Sequence, residues 1–386
     1  MTSLGSHLAA ALDRLDARHE RRRFSATEII EPSRLSRSGR YLLDFASNDY
    51  LGLARHPLLS ERSAEWGARF GSGSGASRLV TGTSEACLDL EARVAKFKGT
   101  EAALLFASGW QLNAAVLAAL LKAAPGTLLF TDRLIHASLH AGAAGHRQIR
   151  FRHNDLAHLE QLLERHADEC GPRLIVTESV FSMDGDRVDL EHLSVIAKRH
   201  EAFVYVDEAH ATGVLGPQGG GLSKASPRSA DLVMGTFSKA MGSFGAYVAG
   251  SQLLIDYLVN CCSGFIFSTA LPPSVLGAID AAIELVPAMD KEREILAAHG
   301  AHLRARLSGG GLDVADSSTH IVPVIVGGAE ETLKLAEGLM SDGLLAAAIR
   351  PPTVPQGTSR LRIALRATHR TEDVDLLADA VLARLR

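Results

Sequence analysis

An acid, an imidazole and an amine stand at the ends of successive apolar runs in Tyr205-Val-Asp207-Glu-Ala-His210 and Met234-Gly-Thr236-Phe-Ser238-Lys239. An electron-sink cofactor needs an imine-forming lysine to hold it and a carboxylate to keep its ring nitrogen protonated. The layout therefore predicts a pyridoxal phosphate pocket, with Lys239 as the covalent anchor and Asp207 as the ring-nitrogen partner. A carboxylate at the end of an apolar strand is costly to bury without such a partner, although aspartate in this place can also cap a helix. His210, three residues on, and a lysine on the following strand favour the chemical reading. Gly242 and Gly245 beside Lys239 permit a close backbone approach.

Other residues extend the same pocket. Ser108-Gly109-Trp110 precedes a helical stretch, and the free N–H groups of a helix start form an anion site for a phosphate. The hydroxyls around Thr236 add donors, and His136 offers a ring that could stack on a pyridine face. Two tempting motifs lead elsewhere. The glycine-rich Gly71-Ser-Gly73-Ser-Gly75 follows a helical pattern, whereas a dinucleotide fingerprint follows a strand. His136-x-x-x-His140 has metal-ligand spacing but no accompanying carboxylate or cysteine, so no metal is expected.

Positioning these groups requires an α/β fold. Short apolar runs at Ala102–Phe106, Thr127–Phe130, Leu174–Glu178, Phe203–Asp207 and Leu232–Gly235 alternate with helical patterns such as Leu190, Leu193, Ile196 and Ala197. This alternation implies a mostly parallel sheet covered on both faces. Ligands of such sheets bind beyond the carboxyl ends of the strands. There Ser108, Asp132 with His136, Ser179 with Ser182, Asp207 and Thr236 would converge. A long helical stretch after Pro272-Pro273 leads to Gly309, and strands near residues 321–326 and 361–364 with two further helices suggest a small α+β domain. The expected division is an N-terminal helix and arm (1–45), a large α/β domain (46–288) and a small C-terminal α+β domain (289–386).

The 386 residues are 46% hydrophobic and carry a formal charge of −4, which gives no basic field for nucleic acid or an anionic membrane. Cys87, Cys170, Cys261 and Cys262 form no C-x-x-C pair and read as reduced thiols. The first twenty residues read as an amphipathic helix without the apolar core of a signal peptide, so a cytoplasmic protein is expected.

Longer segments carry a resemblance. Phe45-Ala-Ser-Asn-Asp-Tyr-Leu-Gly-Leu, Gly73-Ser-Gly-Ala-Ser-Arg-Leu-Val-Thr-Gly, Arg152-His-Asn-Asp, Glu178-Ser-Val-Phe-Ser-Met-Asp-Gly-Asp and Ala348-Ile-Arg-Pro-Pro-Thr-Val-Pro cover most of the chain. The chain thereby resembles the α-oxoamine synthases, fold-type I pyridoxal phosphate enzymes that condense an amino acid with an acyl thioester and release carbon dioxide. The resemblance implies a large domain with a seven-stranded sheet. It gives catalytic roles to Lys239, Asp207, His210 and His136, the last stacked over the ring. Gly109, Trp110 and Thr236 would hold the phosphate, Ser182 and His210 would neighbour the phenolic oxygen, and Thr269 would reach in from a second subunit, implying a homodimer. Arg21, Asn48, His136, Arg350 and Thr353 match substrate positions.

The substrates so implied are L-alanine and a pimeloyl thioester of coenzyme A or acyl carrier protein, as in biotin biosynthesis. Sister enzymes pair glycine with acetyl- or succinyl-CoA, or serine with a long acyl-CoA. A binding-only protein of the same fold and a nicotinamide oxidoreductase are the alternatives from other classes. Three departures from the family pattern bear on substrate more than on chemistry: Trp110 for phenylalanine, Gly219-Gly-Gly-Leu for a Gly-Arg-Gly run, and Gly245-Ala-Tyr for Gly-Gly.

Overall fold

Apolar runs too short for helices and bounded by glycine and polar residues form the strands of one sheet in the computed structural model, which describes residues 2–226 and 228–385. These are β1 (Ala102–Phe106), β2 (Leu128–Asp132), β3 (Gln148–Phe151), β4 (Arg173–Glu178), β5 (Ala202–Asp207), β6 (Leu232–Thr236) and β7 (Ala246–Gly250). Their order is β1-β7-β6-β5-β4-β2-β3. All pairs are parallel except those of β7, which runs antiparallel to β1 and β6. The expected mostly parallel seven-stranded sheet is present, and two of its strands were not among the five apolar runs. β3 has only four residues and an exposed Arg150 between buried Ile149 and Phe151, and β7 is a five-residue run that starts directly after Gly245 and ends on Gly250.

Successive side chains of a strand point to opposite faces, and this splits the core in two. Leu174, Val176 and Tyr205 pack with Leu112, Val116 and Leu117 of helix Gly109–Ala123. Ile175, Val204 and Val206 pack with Leu159 and Leu163 of helix Leu156–Arg165 and with Leu193 and Ile196 of helix Leu190–Arg199. Ser108, Asp155 and Asp189 cap these three helices, each accepting a hydrogen bond from a backbone N–H three residues on.

The chain divides into two compact units, residues 51–182 with 187–293, which contain this sheet, and residues 1–50 with 183–186 and 294–386. In the second unit Ile321–Gly327, Ser359–Ala364 and Ala347–Ile349 form an antiparallel sheet, with helices Ala329–Ser341 and Thr371–Leu385. The N-terminal strand Arg40–Asp44 belongs here too, pairing in parallel with Leu344–Leu345. The helical stretch after Pro273 is not continuous. Pro287, which lacks an N–H and crowds the preceding turn, separates Pro273–Leu285 from Asp290–Gly309 through a single 3₁₀ turn.

His369 ties the ends of this second unit together, its Nε2 bonding the Asp44 carbonyl at 2.9 Å and its Nδ1 accepting from the Arg366 N–H at 3.1 Å. Burial lowers its pKa to about 4, below the roughly 6.5 of an unfolded histidine. The unfolded chain therefore binds more protons between these values, and the contribution is present above about pH 6.5 and is lost as pH falls toward 4. His369→Gln should flatten the pH dependence of urea unfolding over that window relative to wild type, and an unchanged slope would contradict the assignment.

Candidate active site

Parallel register sets the candidate groups side by side. Glu178, the last residue of β4, is the direct partner of Asp207, the last residue of β5, and Asp207 is in turn the partner of Met234, two residues before the end of β6. The loop after β5 turns at once. Asp207 Oδ1 accepts the Ala209 N–H at 2.9 Å, and the Thr212 N–H bonds the Glu208 carbonyl at 2.9 Å. This turn directs His210 Nε2 to within 2.9 Å of Lys239 Nζ, which the loop after β6 delivers. The imidazole and the amine are hydrogen-bonded without any ligand.

Asp207 is 5% exposed, and its second oxygen is held by a residue that sequence reasoning missed. Asn113, on helix Gly109–Ala123, donates from Nδ2 to Asp207 Oδ2 at 2.7 Å. The signal was a lone amide on a stripe otherwise made of Leu112, Val116 and Leu117. These two donors leave the carboxyl group lone pairs for a further cationic partner.

Glu178 was also passed over, because the run was read through to Ser179. It is fully buried, and burial followed by the charge of Asp207 pushes its carboxyl well above the usual range. Its Oε1 has no hydrogen-bond partner among the described residues. Like charges at short range disfavour ionisation of Glu178 beside Asp207. His136, the N-cap of the turn Ala137–Gly142, is itself neutral, because burial outweighs the attraction of Asp207 and lowers its pKa.

The phosphate end is shaped by an absence of side chain. A Cβ on Gly109 would lie 3.2 Å from Met234 Cε and 4.0 Å from Thr236 Cβ, so the start of helix Gly109–Ala123 abuts the end of β6. Thr236 Oγ1 donates to the Gly245 carbonyl at 2.9 Å, accepts the Ser238 N–H at 3.2 Å and meets Ser238 Oγ at 2.7 Å. Trp110 is 55% exposed and therefore not a core residue. Thr269 is exposed and bridges Ser77 of its own chain, and Ser182 is half-buried.

An amine, a carboxylate, a neutral imidazole and a hydroxyl beside a helix start that opens on glycine form a donor set that fits pyridoxal phosphate. Lys239 would hold it covalently, Asp207 would meet its ring nitrogen, and the Gly109 and Trp110 N–H groups with Thr236 would take its phosphate.

Of the positions matched to substrate, His136 lies in the sheet-containing unit, and Arg21, Asn48, Arg350 and Thr353 lie in the other, in two groups. Arg350 Nη1 donates to the His19 carbonyl at 2.6 Å and Arg22 Nη2 donates to Thr353 Oγ1 at 3.0 Å, so the N-terminal arm lies against residues 350–353. Arg21 is paired with Asp16. Asn48 stands apart from these, its Oδ1 accepting from Arg362 Nη1 at 3.0 Å and from the Tyr50 hydroxyl at 3.0 Å. Arg362, buried and unnoticed in the sequence, is the cation that accompanies Asn48.

Comparison with known proteins agrees with this chemistry. Residues 40–381 match the family described as Aminotransferase class I and II. A Gluconacetobacter diazotrophicus 8-amino-7-oxononanoate synthase is 58% identical over 99% of this chain and 97% of its own. A Bordetella bronchiseptica relative provisionally named for the same activity is 60% identical over 99% of this chain and 97% of its own. Among solved structures, a serine palmitoyltransferase from S. paucimobilis with bound PLP superposes with a TM-score of 0.91 at 28% identity, covering 100% of this chain and 98% of that one. The chain belongs to the class I and II aminotransferase family and is a pyridoxal phosphate-dependent transferase of fold type I.

Proposed function

We propose that this protein condenses L-alanine with a pimeloyl thioester, carried on coenzyme A or acyl carrier protein, and releases carbon dioxide and the free thiol carrier to give 8-amino-7-oxononanoate for biotin. The observation that carries the substrate is the 58% identity, over nearly the full length of both chains, to a synthase of that name. The serine palmitoyltransferase neighbour, at 28%, is the more distant relative.

Pyridoxal phosphate, when bound, supplies the electron sink that makes loss of an α-proton and of carbon dioxide accessible. The protein supplies the rest. Lys239 would hold the cofactor and, once free of it, its Nζ would remove the α-proton of alanine. His210, 2.9 Å away, holds that amine in reach and shares its proton. Asp207 keeps the ring nitrogen charged, and its two protein donors prevent it from turning away. His136 covers the ring. Arg350, with the fork geometry that suits a carboxylate, and Asn48 with Arg362 are the polar groups proposed for the amino acid carboxylate. Arg21 and Thr353 are proposed for the thioester.

The large domain (46–288) carries the cofactor in this reading and the C-terminal domain (289–386) with the N-terminal arm (1–45) carries substrate groups. A homodimer completed by Thr269 of a second copy is supported by exposed Leu79, Val80, Phe244 and Phe267, apolar surface that a partner would cover. A cytoplasmic location is supported by four unpaired cysteines. Among the described residues no helix is long and apolar enough to cross a membrane.

The test is thiol release by the cofactor-loaded protein with alanine, glycine or serine, each with pimeloyl-CoA, pimeloyl–acyl carrier protein, acetyl-CoA or palmitoyl-CoA. Alanine with a pimeloyl thioester should be the productive pair. Preference for serine with palmitoyl-CoA, or glycine with a short acyl-CoA, would retain the family and overturn the substrate.

A further inference from the structure

Four polar side chains around Asp207 form one hydrogen-bonded network, three of them buried and His136 at its exposed end. Tyr205 lies within β5, and its hydroxyl is 2.6 Å from Asn113 Oδ1. Asn113 Nδ2 reaches Asp207 Oδ2 at 2.7 Å and Ser138 Oγ at 3.0 Å. Ser138 Oγ is 2.7 Å from His136 Nδ1. Asn113 is 1% exposed, Tyr205 and Ser138 are 0% exposed, and none of the three lies among the residues assigned above to cofactor or substrate.

The direction of each bond follows from which atoms can donate. A carboxylate only accepts, so the Asn113 amide must turn its NH₂ toward Asp207, and its oxygen then accepts from Tyr205. The two protons of that NH₂ are used by Asp207 and Ser138. Ser138 Oγ, already accepting, has one proton left, and its other hydrogen bond among the described residues is with His136 Nδ1. The Ser138 backbone N–H points at the same nitrogen from 3.3 Å. A nitrogen that faces two donors cannot carry a proton itself.

We propose that Asn113 and Ser138 are positioning residues that read the charge of Asp207 and hold His136 as the neutral imidazole with its proton on Nε2, so that it faces the pocket as a hydrogen-bond donor. The proton of Nε2 is thereby offered to an acceptor oxygen, and His136 is unsuited to removing a proton through that atom. The lowering of its pKa by burial accords with a ring that stays uncharged at neutral pH. The inference rests on the reading of the pocket as a pyridoxal phosphate site, but not on which substrate it turns over.

The experiment is ¹⁵N NMR of the histidine-labelled, cofactor-loaded protein, with His136 assigned from a His136→Gln sample. Wild type should show His136 as one neutral tautomer, unprotonated at Nδ1 and protonated at Nε2. Ser138→Ala keeps only the more distant backbone N–H, and a second tautomer with Nδ1 protonated should appear. The Ser138→Ala enzyme should lose about three- to tenfold in kcat/KM, the worth of one hydrogen bond, while Ser138→Thr restores both readouts. Should Ser138→Ala not fold, Ser138→Cys, of similar volume and a weak donor, is expected to give the same shift. A wild-type spectrum with Nδ1 protonated, or a single unchanged tautomer in the variant, overturns the proposal. Because the tautomer is read without turnover, a wrong amino acid or thioester would not disturb it.

Discussion

Lys239→Ala is expected to lose turnover by at least a hundred- to ten-thousand-fold, the range associated with removing a positioned acid–base group alone. The loss should be larger than that range because the same atom is also the covalent anchor. His210 is hydrogen-bonded to Lys239 Nζ, and the substitution removes that bond. Cofactor absorbance should shift to that of the free aldehyde, and steady-state thiol release with alanine and pimeloyl-CoA should fall to background. Retention of more than about a tenth of wild-type turnover would overturn the assignment of base and anchor together. The cavity left by the aliphatic stem is outside the two hydrophobic clusters of the sheet, so the fold itself is expected to survive.

The second large effect is expected at Asp207. Asp207→Asn keeps the shape and removes the charge, so it should lower kcat about a hundred- to a thousandfold, the magnitude seen when one preorganised electrostatic partner is lost. The asparagine cannot satisfy its surroundings either. Both carboxylate oxygens accept from protein donors, the Ala209 N–H and Asn113 Nδ2. The new NH₂ must therefore face a donor at one of those places, and a buried mispaired donor costs about 1–3 kcal/mol of stability. The double variant Asn113→Asp with Asp207→Asn moves the acceptor across the same hydrogen bond and should recover stability without recovering kcat, because the charge would sit on the wrong side of the bond. Full activity in Asp207→Asn would mean that the ring nitrogen is not protonated by this residue.

The legibility of this protein varied with the range of the interactions involved. Chemistry was readable where it sits at strand ends, because an apolar run that stops on Asp207 or is followed by Lys239 is a local pattern. The helix caps Ser108, Asp155 and Asp189 were equally local. Strand β3 was missed because four residues with one exposed arginine do not stand out from a loop. Strand β7 was missed because Ala246 to Gly250 is a short run bounded by glycine at both ends, and its antiparallel pairing with β1 and β6 makes it a strand.

The residues around the candidate site divide in the same way. Lys239, Asp207, His210, His136 and Thr236 were named from type and spacing, and the structure brings them to one end of one sheet. Asn113, Glu178, Tyr205 and Arg362 were not, since none is remarkable beside its sequence neighbours. Asn113 acquires its role from Asp207, 94 positions away, and Arg362 from Asn48, 314 positions away. The raised pKa of Glu178 beside Asp207 was likewise undetermined, because it depends on burial that only the packed fold supplies.

By itself, then, the amino-acid sequence determined the α/β class and the cofactor, since those follow from hydrophobic period and from residue types that the chemistry requires. The tertiary structure decided strand order, the joining of the N-terminal strand to residues 344–345, and the hydrogen-bond partners of Asp207 inside the site. These depend on contacts between segments distant in the chain, which no local pattern encodes.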